Sequence, residues 1–242
     1  MDAIVTTGLT KQYGSLTAVD HLSITIKQGE LFSLLGVNGA GKTTAIKMLS
    51  CLTKPTAGDA LVGGHSITKE PAVVKRLIGV SPQETAVAPN LSVKENLDLI
   101  CGIHGFSKDK TKRKLHELSA QFDLDGVWKR KAGKLSGGWQ RRTSIAMALI
   151  SEPDILFLDE PTLGLDVLAR RELWDLINRL KGRITIVLTT HYMEEAEALS
   201  DRVGVMKDGS LLALGTPEEL KGMTQTDTFE AAFISIVREG AV

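Results

Sequence analysis

Charge of one sign is never in excess in this sequence. Its 29 Lys and Arg balance 29 Asp and Glu, so no net field draws the chain onto nucleic acid or an anionic membrane, and a dedicated polyanion binder is disfavoured. Cysteine is scarce as well. Cys51 and Cys101 lie in apolar helical patterns without CxxC spacing, which argues against a disulfide framework or a thiolate metal centre and fits a reducing cytosol. No apolar run approaches the ~20 residues that a membrane helix needs. The start Met1-Asp2-Ala3-Ile4 also lacks the basic stretch followed by an apolar one that marks a leader, so the chain is expected to be neither exported nor membrane-spanning by itself. Apolar residues are plentiful, at 43% of 242 residues, enough for the core of one large domain or two modest ones.

The most informative stretch is Gly36-Val37-Asn38-Gly39-Ala40-Gly41-Lys42-Thr43-Thr44, between the apolar run Leu31 to Leu35 and the helical pattern Ala45 to Leu49. It reads as strand, glycine-rich loop, helix. Glycines let the backbone wrap with its amides inward, a helix N-terminus adds partial positive charge and Lys42 adds a full one, so the natural guest is a polyphosphate. In such a P-loop the lysine reaches the β- and γ-phosphates and the first hydroxyl residue, Thr43, coordinates magnesium.

Before the loop, Ile4 to Thr6, Leu16 to Val19 and Leu22 to Ile26 are short β-rich runs broken at Gly14 and Gly29, which predicts an antiparallel sheet beside the P-loop. Tyr13, in the first turn, admits two readings: a ring stacked on a purine, or a partly buried turn tyrosine. After the P-loop helix, Pro55 to Gly58 reads as a turn. Leu77 to Val80 reads as a buried strand that leaves Gln83 at its end, either reaching a magnesium-bound water or sitting in an ordinary surface loop. From Ser92 to about Gln121 the pattern is helical, opened by a capping box of Ser92 and Glu95, with Val93, Leu97, Ile100 and Cys101 on one apolar face. A second helix from about Lys108 carries Lys108, Lys110, Lys112, Arg113 and Lys114, read as a solvated face, with headgroups or a partner as the alternative.

Leu135-Ser136-Gly137-Gly138 opens another helix with Ser136 as N-cap and unobstructed first-turn amides, which is a second anion-binding helix end or simply a capped helix. Ile155 to Leu158 is an apolar strand ending in Asp159 and Glu160. Adjacent carboxylates at a buried strand end repel unless a cation or a proton is expected there, so Asp159 suits magnesium and Glu160 an attacking water. Arg183 to Leu188 is a further buried strand ending near His191, poised for a γ-phosphate. A hairpin turning at Asp208-Gly209 and a capped helix at Thr216 to Glu219 follow. The stripe Phe229, Ala232, Phe233, Ile236 and Val237 packs on the parent domain or, alternatively, meets a partner subunit.

Together these residues resemble the nucleotide-binding subunit of ATP-binding cassette (ABC) transporters along nearly the whole chain. Walker A is Gly36 to Thr44, the Q-loop Gln83, the signature Leu135-Ser136-Gly137-Gly138, Walker B Ile155 to Asp159 with Glu160 beside it, the D-loop Gly164-Leu165-Asp166, and the switch histidine His191. The resemblance implies an α/β fold: a P-loop NTPase core with a mostly parallel sheet, an antiparallel β layer and an inserted all-helical subdomain. A single nucleotide-binding domain spans 1–242, with the helical subdomain at about 88–152 and a C-terminal helical extension at about 216–242. It implies ATP and Mg2+ as ligands. Glu160, His191 and Lys42 are the implied catalytic residues; Tyr13 stacks on adenine; Gly36, Asn38, Gly39, Ala40, Gly41, Lys42, Thr43, Thr44 and Gln83 contact the nucleotide; and Thr43, Gln83 and Asp159 serve the metal. Ser136, Gly137, Gly138 and Asp166 are implied to meet nucleotide held by a second cassette.

The implied partners are that second nucleotide-binding domain and an integral membrane permease, with no nucleic acid, at the cytoplasmic face of the cell membrane. The run His191 to Glu197, with Asp201-Arg202-Val203 and Gly215 to Leu220, is similar to the type-two exporter branch that serves drug, sodium and polysaccharide efflux. Docking on the permease is expected near Gln83 and the segment 92–121, with Leu91 and Val93 in the contact. Two departures stand out: Val37 replaces a proline that contributes stiffness but no ligand atom, and Trp139 replaces a glutamine, where an indole has room to repack the cassette interface. The rival readings are a soluble ABC ATPase, against which the insert is too short for a long coiled-coil arm, and a P-loop kinase, which has no use for a signature motif.

Overall fold

The computed structural model describes residues 1–240; Ala241 and Val242, the end of the expected C-terminal extension, lie outside the described residues. Strands β1 (Asp2–Tyr13), β2 (Leu16–Leu22) and β3 (Thr25–Lys27) open the antiparallel layer. β1 runs well past Thr6, because β2 pairs with its second half down to Tyr13↔Leu16 across the tight turn at Gly14. Tyr13 is therefore the last residue of a strand. Strand β4 (Leu31–Leu35) and helix α1 (Lys42–Leu49) flank the glycine loop. Next come β5 (Ala57–Val62) and β6 (His65–Ser66), both in the antiparallel layer. Ala57 and Gly58, read as part of a turn, are the first residues of β5, since β1 supplies hydrogen-bonding partners as far as Thr10↔Ala57.

Helix α2 (Pro71–Leu77) runs into β7 (Ile78–Ser81). Three helices then follow before the next strand: α3 (Val93–Ile103), α4 (Lys108–Gln121) and α5 (Gly137–Ala148). The chain continues through β8 (Ile155–Asp159), α6 (Val167–Leu180), β9 (Thr185–Thr190), α7 (Met193–Leu199), β10 (Arg202–Lys207), β11 (Ser210–Gly215), α8 (Pro217–Thr224) and α9 (Phe229–Glu239). The β10–β11 turn is Asp208-Gly209 with both residues at positive φ, the geometry such two-residue hairpins favour.

The main sheet has the order β11-β10-β4-β9-β8-β7 and is parallel except for β11. Every residue of β4, β8 and β9 is buried, as strands covered on both faces must be. Their side chains alternate between two cores. Phe32, Leu34, Ile155, Phe157 and Val187 pack towards α1 and the antiparallel layer, whereas Leu31, Leu156, Leu158, Ile186 and Leu188 pack towards the helices. The register pairs Leu35 with Thr190 and Asp159 with Thr189, so three adjacent strands end level with one another. The expected α/β fold, parallel core and antiparallel layer are all present.

Two helical residues depart from expectation. Lys114, placed on a solvated face, is only 5% exposed: its ammonium lies 2.8 Å from Glu152 and 2.9 Å from Glu117. Burial disfavours that charge, but the two carboxylates outweigh the penalty and hold its pKa above the ordinary lysine value. Val93, expected in a docking surface, is fully buried with Leu97 and Cys101 in the helical core, so it has no face to offer a partner. The stripe on α9 packs inward: Phe229, Phe233 and Ile236 join Val203 and Val205 of β10 in a third core, which favours the parent-domain reading. The capping boxes at Ser92/Glu95 and Thr216/Glu219 both form.

Candidate functional site

The glycine loop is held in place from three sides. Gly36 lies so close to β10 that a Cβ on it would meet the Met206 carbonyl oxygen at 2.4 Å. Gly41, at φ +101°, caps α1, and a Cβ there would meet the Ala18 carbonyl of β2 at 2.3 Å. Larger residues at either position would push the loop off both sheets. Lys42 folds back over the loop, donating to the carbonyls of Gly36 at 2.6 Å and Val37 at 3.2 Å. Val37 thus contributes only its backbone, and its side chain is exposed.

The level ends of β4, β8 and β9 bring the acids to this loop. Thr43 Oγ1 donates to Asp159 Oδ1 at 3.0 Å, and Thr189 Oγ1 donates to the same oxygen at 2.5 Å. Glu160 turns out of β8 at φ +49°, a left-handed conformation that costs a non-glycine residue about 1 kcal/mol or more. Its amide donates to the Thr189 carbonyl and hydroxyl, both at 3.1 Å, which fixes the turn. Its carboxylate is then held between Lys42 Nζ at 3.3 Å and His191 Nδ1 at 2.5 Å. Strain at a buried carboxylate anchored this firmly is the mark of a working residue.

A cleft of about 650 Å³ joins Tyr13, the loop from Asn38 to Thr44, Gln83, Glu160 and His191. Tyr13 stands at its mouth, 47% exposed, with Lys11 Nζ 4.9 Å from the ring centre. Gly36 and Asp159 adjoin it through Lys42 and Thr43. Ser136, Gly137, Gly138 and Asp166 lie outside that cleft. They form a second cluster instead: Cβ atoms on Gly137 and Gly138 would approach Leu165 and Ala169 at 3.3 and 3.2 Å, so the start of α5 sits on the start of α6. Asp166 caps α6 by accepting from the Ala169 amide at 2.9 Å. The Ser136 hydroxyl caps nothing, and Val167 and Leu168 at the start of α6 are exposed. Trp139 is half-buried against the helical core, with Arg142 4.6 Å from its ring centre.

Sequence reading overlooked three supporting side chains. Thr189 ties Asp159 to Glu160, and a hydroxyl residue at a strand end beside two acids was a usable signal. Arg141, 4% exposed, donates to the carbonyls of Pro82 at 2.5 Å and Gln83 at 2.6 Å, which no local pattern reveals. Glu195 is fully buried and accepts from Trp174 Nε1 at 3.0 Å, while its Oε2 and the Thr162 hydroxyl lack well-formed hydrogen bonds. Burial pushes the Glu195 carboxyl above the usual range; neighbouring Thr190, Thr162 and Trp174 offset part of that rise, and the Glu160 charge adds to it.

Oxygen ligands at Thr43 and Asp159 beside a glycine loop that carries Lys42 suit a hard cation bound together with a polyphosphate. Among the described residues no group of three or more His, Cys, Asp or Glu assembles as a metal cage, so phosphate and water oxygens would complete the shell.

Known proteins resemble this chain in sequence and in fold. The chain is 45% identical over 222 residues to the doxorubicin resistance ATP-binding protein DrrA of Mycobacterium tuberculosis, covering 90% of this chain and 67% of that protein. Among solved structures, an ATP-binding subunit of an ABC transporter superposes with a TM-score of 0.85 at 26% identity, covering 97% of this chain and 99% of that one. A dimeric ATP-binding cassette in a post-hydrolysis state, bound to ADP and Pi, superposes with a TM-score of 0.78 at 27% identity, covering 88% and 98%. The ABC transporter family model matches residues 19–163, more than half of the sequence, and the chain belongs to the ABC transporter family.

Proposed function

We propose that this chain is the ATP-hydrolysing motor subunit of an ABC exporter, paired with a second cassette and attached to an integral membrane permease at the cytoplasmic face of the membrane. The observation that carries the reading is the Glu160 carboxylate held between Lys42 and His191, next to the Thr43–Asp159 pair, in one cleft with the glycine loop. A triphosphate entering that loop takes Lys42 from the Gly36 and Val37 carbonyls and surrounds itself with the amides from Asn38 to Thr44. Thr43, Asp159 and, through water, Gln83 would hold Mg2+, which offsets charge on the β- and γ-phosphates when bound. Glu160 then orients a water in line with the γ-phosphate and accepts its proton. His191, bonded to Glu160, keeps that carboxylate aimed and stabilises the charge that develops on the phosphoryl oxygens. Tyr13 stacks on the adenine at the mouth of the cleft.

Ser136, Gly137, Gly138 and Asp166 serve the nucleotide of the second cassette. Ser136, Gly137 and Asp166 are exposed, Gly138 is half-buried and none of the four lines this chain's own cleft, which supports that role, as does the dimeric structure of a related cassette bound to ADP and Pi. The helices α3 to α5, within about 88–152, act as a subdomain that carries this face, and about 216–242 acts as the C-terminal extension. Similarity to a doxorubicin resistance protein supports drug efflux as the work done. No helix among the described residues is long and apolar enough to cross a membrane, so the membrane path belongs to the partner in this reading.

Docking falls to the exposed apolar side chains of α3, Leu99 and Ile103, and to the Gln83 loop, in place of buried Val93. Single cysteines at 99 and 103, crosslinked in native membranes, should capture a multi-span membrane protein in about two-to-two stoichiometry. Capture of soluble neighbours alone would favour the soluble-ATPase reading.

A further inference from the structure

Helix α6 touches the loop that carries His191 and the helix α7 that follows it through two side chains one turn apart. The Arg170 guanidinium carbon lies 4.5 Å from the centre of the Tyr192 ring, and that ring lies 4.1 Å from the His191 ring, tilted by 39°. His191 Nδ1 in turn meets Glu160 Oε2 at 2.5 Å. One turn along α6, Trp174 bonds the buried Glu195 of α7. Four side chains from three elements thus make one chain of contacts from α6 to the strained carboxylate.

An ion pair does not explain where Arg170 sits. The carboxylate within reach, Glu194, is 3.9 Å away and 81% exposed, a contact that solvent screens to little worth. Its Nε is buried without a hydrogen-bond partner, which costs free energy wherever it occurs. What the guanidinium does have is the face of Tyr192, an attraction that strengthens as water is removed. Arg170 lies in the first turn of α6, at the end capped by Asp166, where Leu165 and Ala169 support Gly137 and Gly138. Arg170 follows Ala169 directly, so a tilt of α6 under the signature glycines moves the guanidinium and whatever is stacked on it.

We infer that Arg170, acting through Tyr192, is a positioning residue that sets the orientation of His191 against Glu160 and so ties the signature face of the chain to its own hydrolytic centre. An imidazole free to rotate loses its bond to Glu160 for part of the time, and misplacement on this scale lowers turnover without weakening nucleotide binding. Tyr192 needs only its ring for this, so its hydroxyl is dispensable. The inference rests on the ATPase reading given above.

The test uses the purified full chain with steady-state ATP hydrolysis. Arg170→Met and Tyr192→Ala should each lower kcat roughly tenfold while KM for ATP stays within about twofold. Tyr192→Phe should keep wild-type kcat, and the Arg170→Met/Tyr192→Ala double variant should lose no more than the worse single one. In a His191→Ala background, Arg170→Met should cost nothing further, an outcome that a merely structural arginine would not produce. Additive losses, a Tyr192→Phe variant as slow as Tyr192→Ala, or a lower melting temperature with unchanged kcat would each overturn the assignment. A wild-type chain that does not hydrolyse ATP would instead overturn the reading on which it rests.

Discussion

In the cleft around Lys42 the working groups partner one another, whereas the face around Ser136 presents donors that the chain leaves unused. Lys42, Glu160 and His191 form one bonded row, and Thr43, Asp159 and Thr189 form another beside it. By contrast, the Ser136 hydroxyl caps no amide, Gly137 opens α5 without a side chain, and Val167 and Leu168 at the start of α6 are exposed. The first region is preorganised within one chain, so its chemistry depends on geometry already built. The second, in the proposed function, is half of a contact, and its worth depends on what covers it.

The largest effect should come from the preorganised side. Glu160→Gln keeps the shape of the carboxylate but cannot take a proton, so turnover should fall on the order of a thousandfold. Calorimetry should find ATP affinity nearly unchanged; loss of binding along with turnover would mean that Glu160 holds the loop together and is not the base. Next comes the open side. Ser136→Arg should leave ATP binding by the monomer intact yet weaken ATP-dependent pairing at least ~30-fold, because the clash falls on the other copy's nucleotide. Sizing in the Glu160→Gln background checks this, and an undiminished dimer peak would reduce the Ser136 region to a capped helix.

A smaller effect should appear behind the cleft, at Glu195. Its folded-state pKa is raised, so between the unfolded value near 4.3 and the folded one the native chain binds a proton that the unfolded chain has released. Stability is therefore lost as pH rises through that window. Glu195→Gln keeps an acceptor for Trp174 and adds a permanent donor, so it should flatten the pH dependence of Tm and raise Tm by ~3 °C at neutral pH. Superimposable melting curves for the two proteins from pH 5 to 8 would refute a protonated Glu195.

Trp139 should matter least. Its indole packs against the helical core with Arg142 over its ring, which accounts for the side chain without calling on the interface that the sequence left open to it. Trp139→Gln should cost about 1 kcal/mol of stability through lost packing and cation–π contact, with turnover within about twofold of wild type. A large fall in kcat without a change in Tm would restore the interfacial role.

Much of this was legible because the informative residues are contiguous. The glycine loop, both capping boxes, the Asp208-Gly209 hairpin and the acids closing β8 each declare themselves within about ten residues, where backbone rules operate. What escaped depends on partners far along the chain. Lys114 belongs to a charged surface pattern until Glu152 folds against it, and Val93 to an exposed helix start until the core closes over it. The end of β1 is set by β2 and β5, and the start of β9 at Thr185 by its pairing with Ile155. Arg141 reaches back about sixty residues to two carbonyls whose own sequence says nothing of it.

That last contact separates two properties of Gln83 that a sequence treats as one. Arg141 grips the main chain at Pro82 and Gln83, while the Gln83 side chain remains free to face the cleft. Any chemistry proposed for this position belongs to the side-chain amide, and the mechanical link to α5 belongs to the main-chain carbonyl. A substitution at 83 can silence the first and spare the second; a substitution at 141 does the reverse, letting the loop drift from the helix that bears Ser136 while every group in the cleft is intact. The cleft and the helix α5 thus meet at a single residue but on different atoms, and can be altered one at a time.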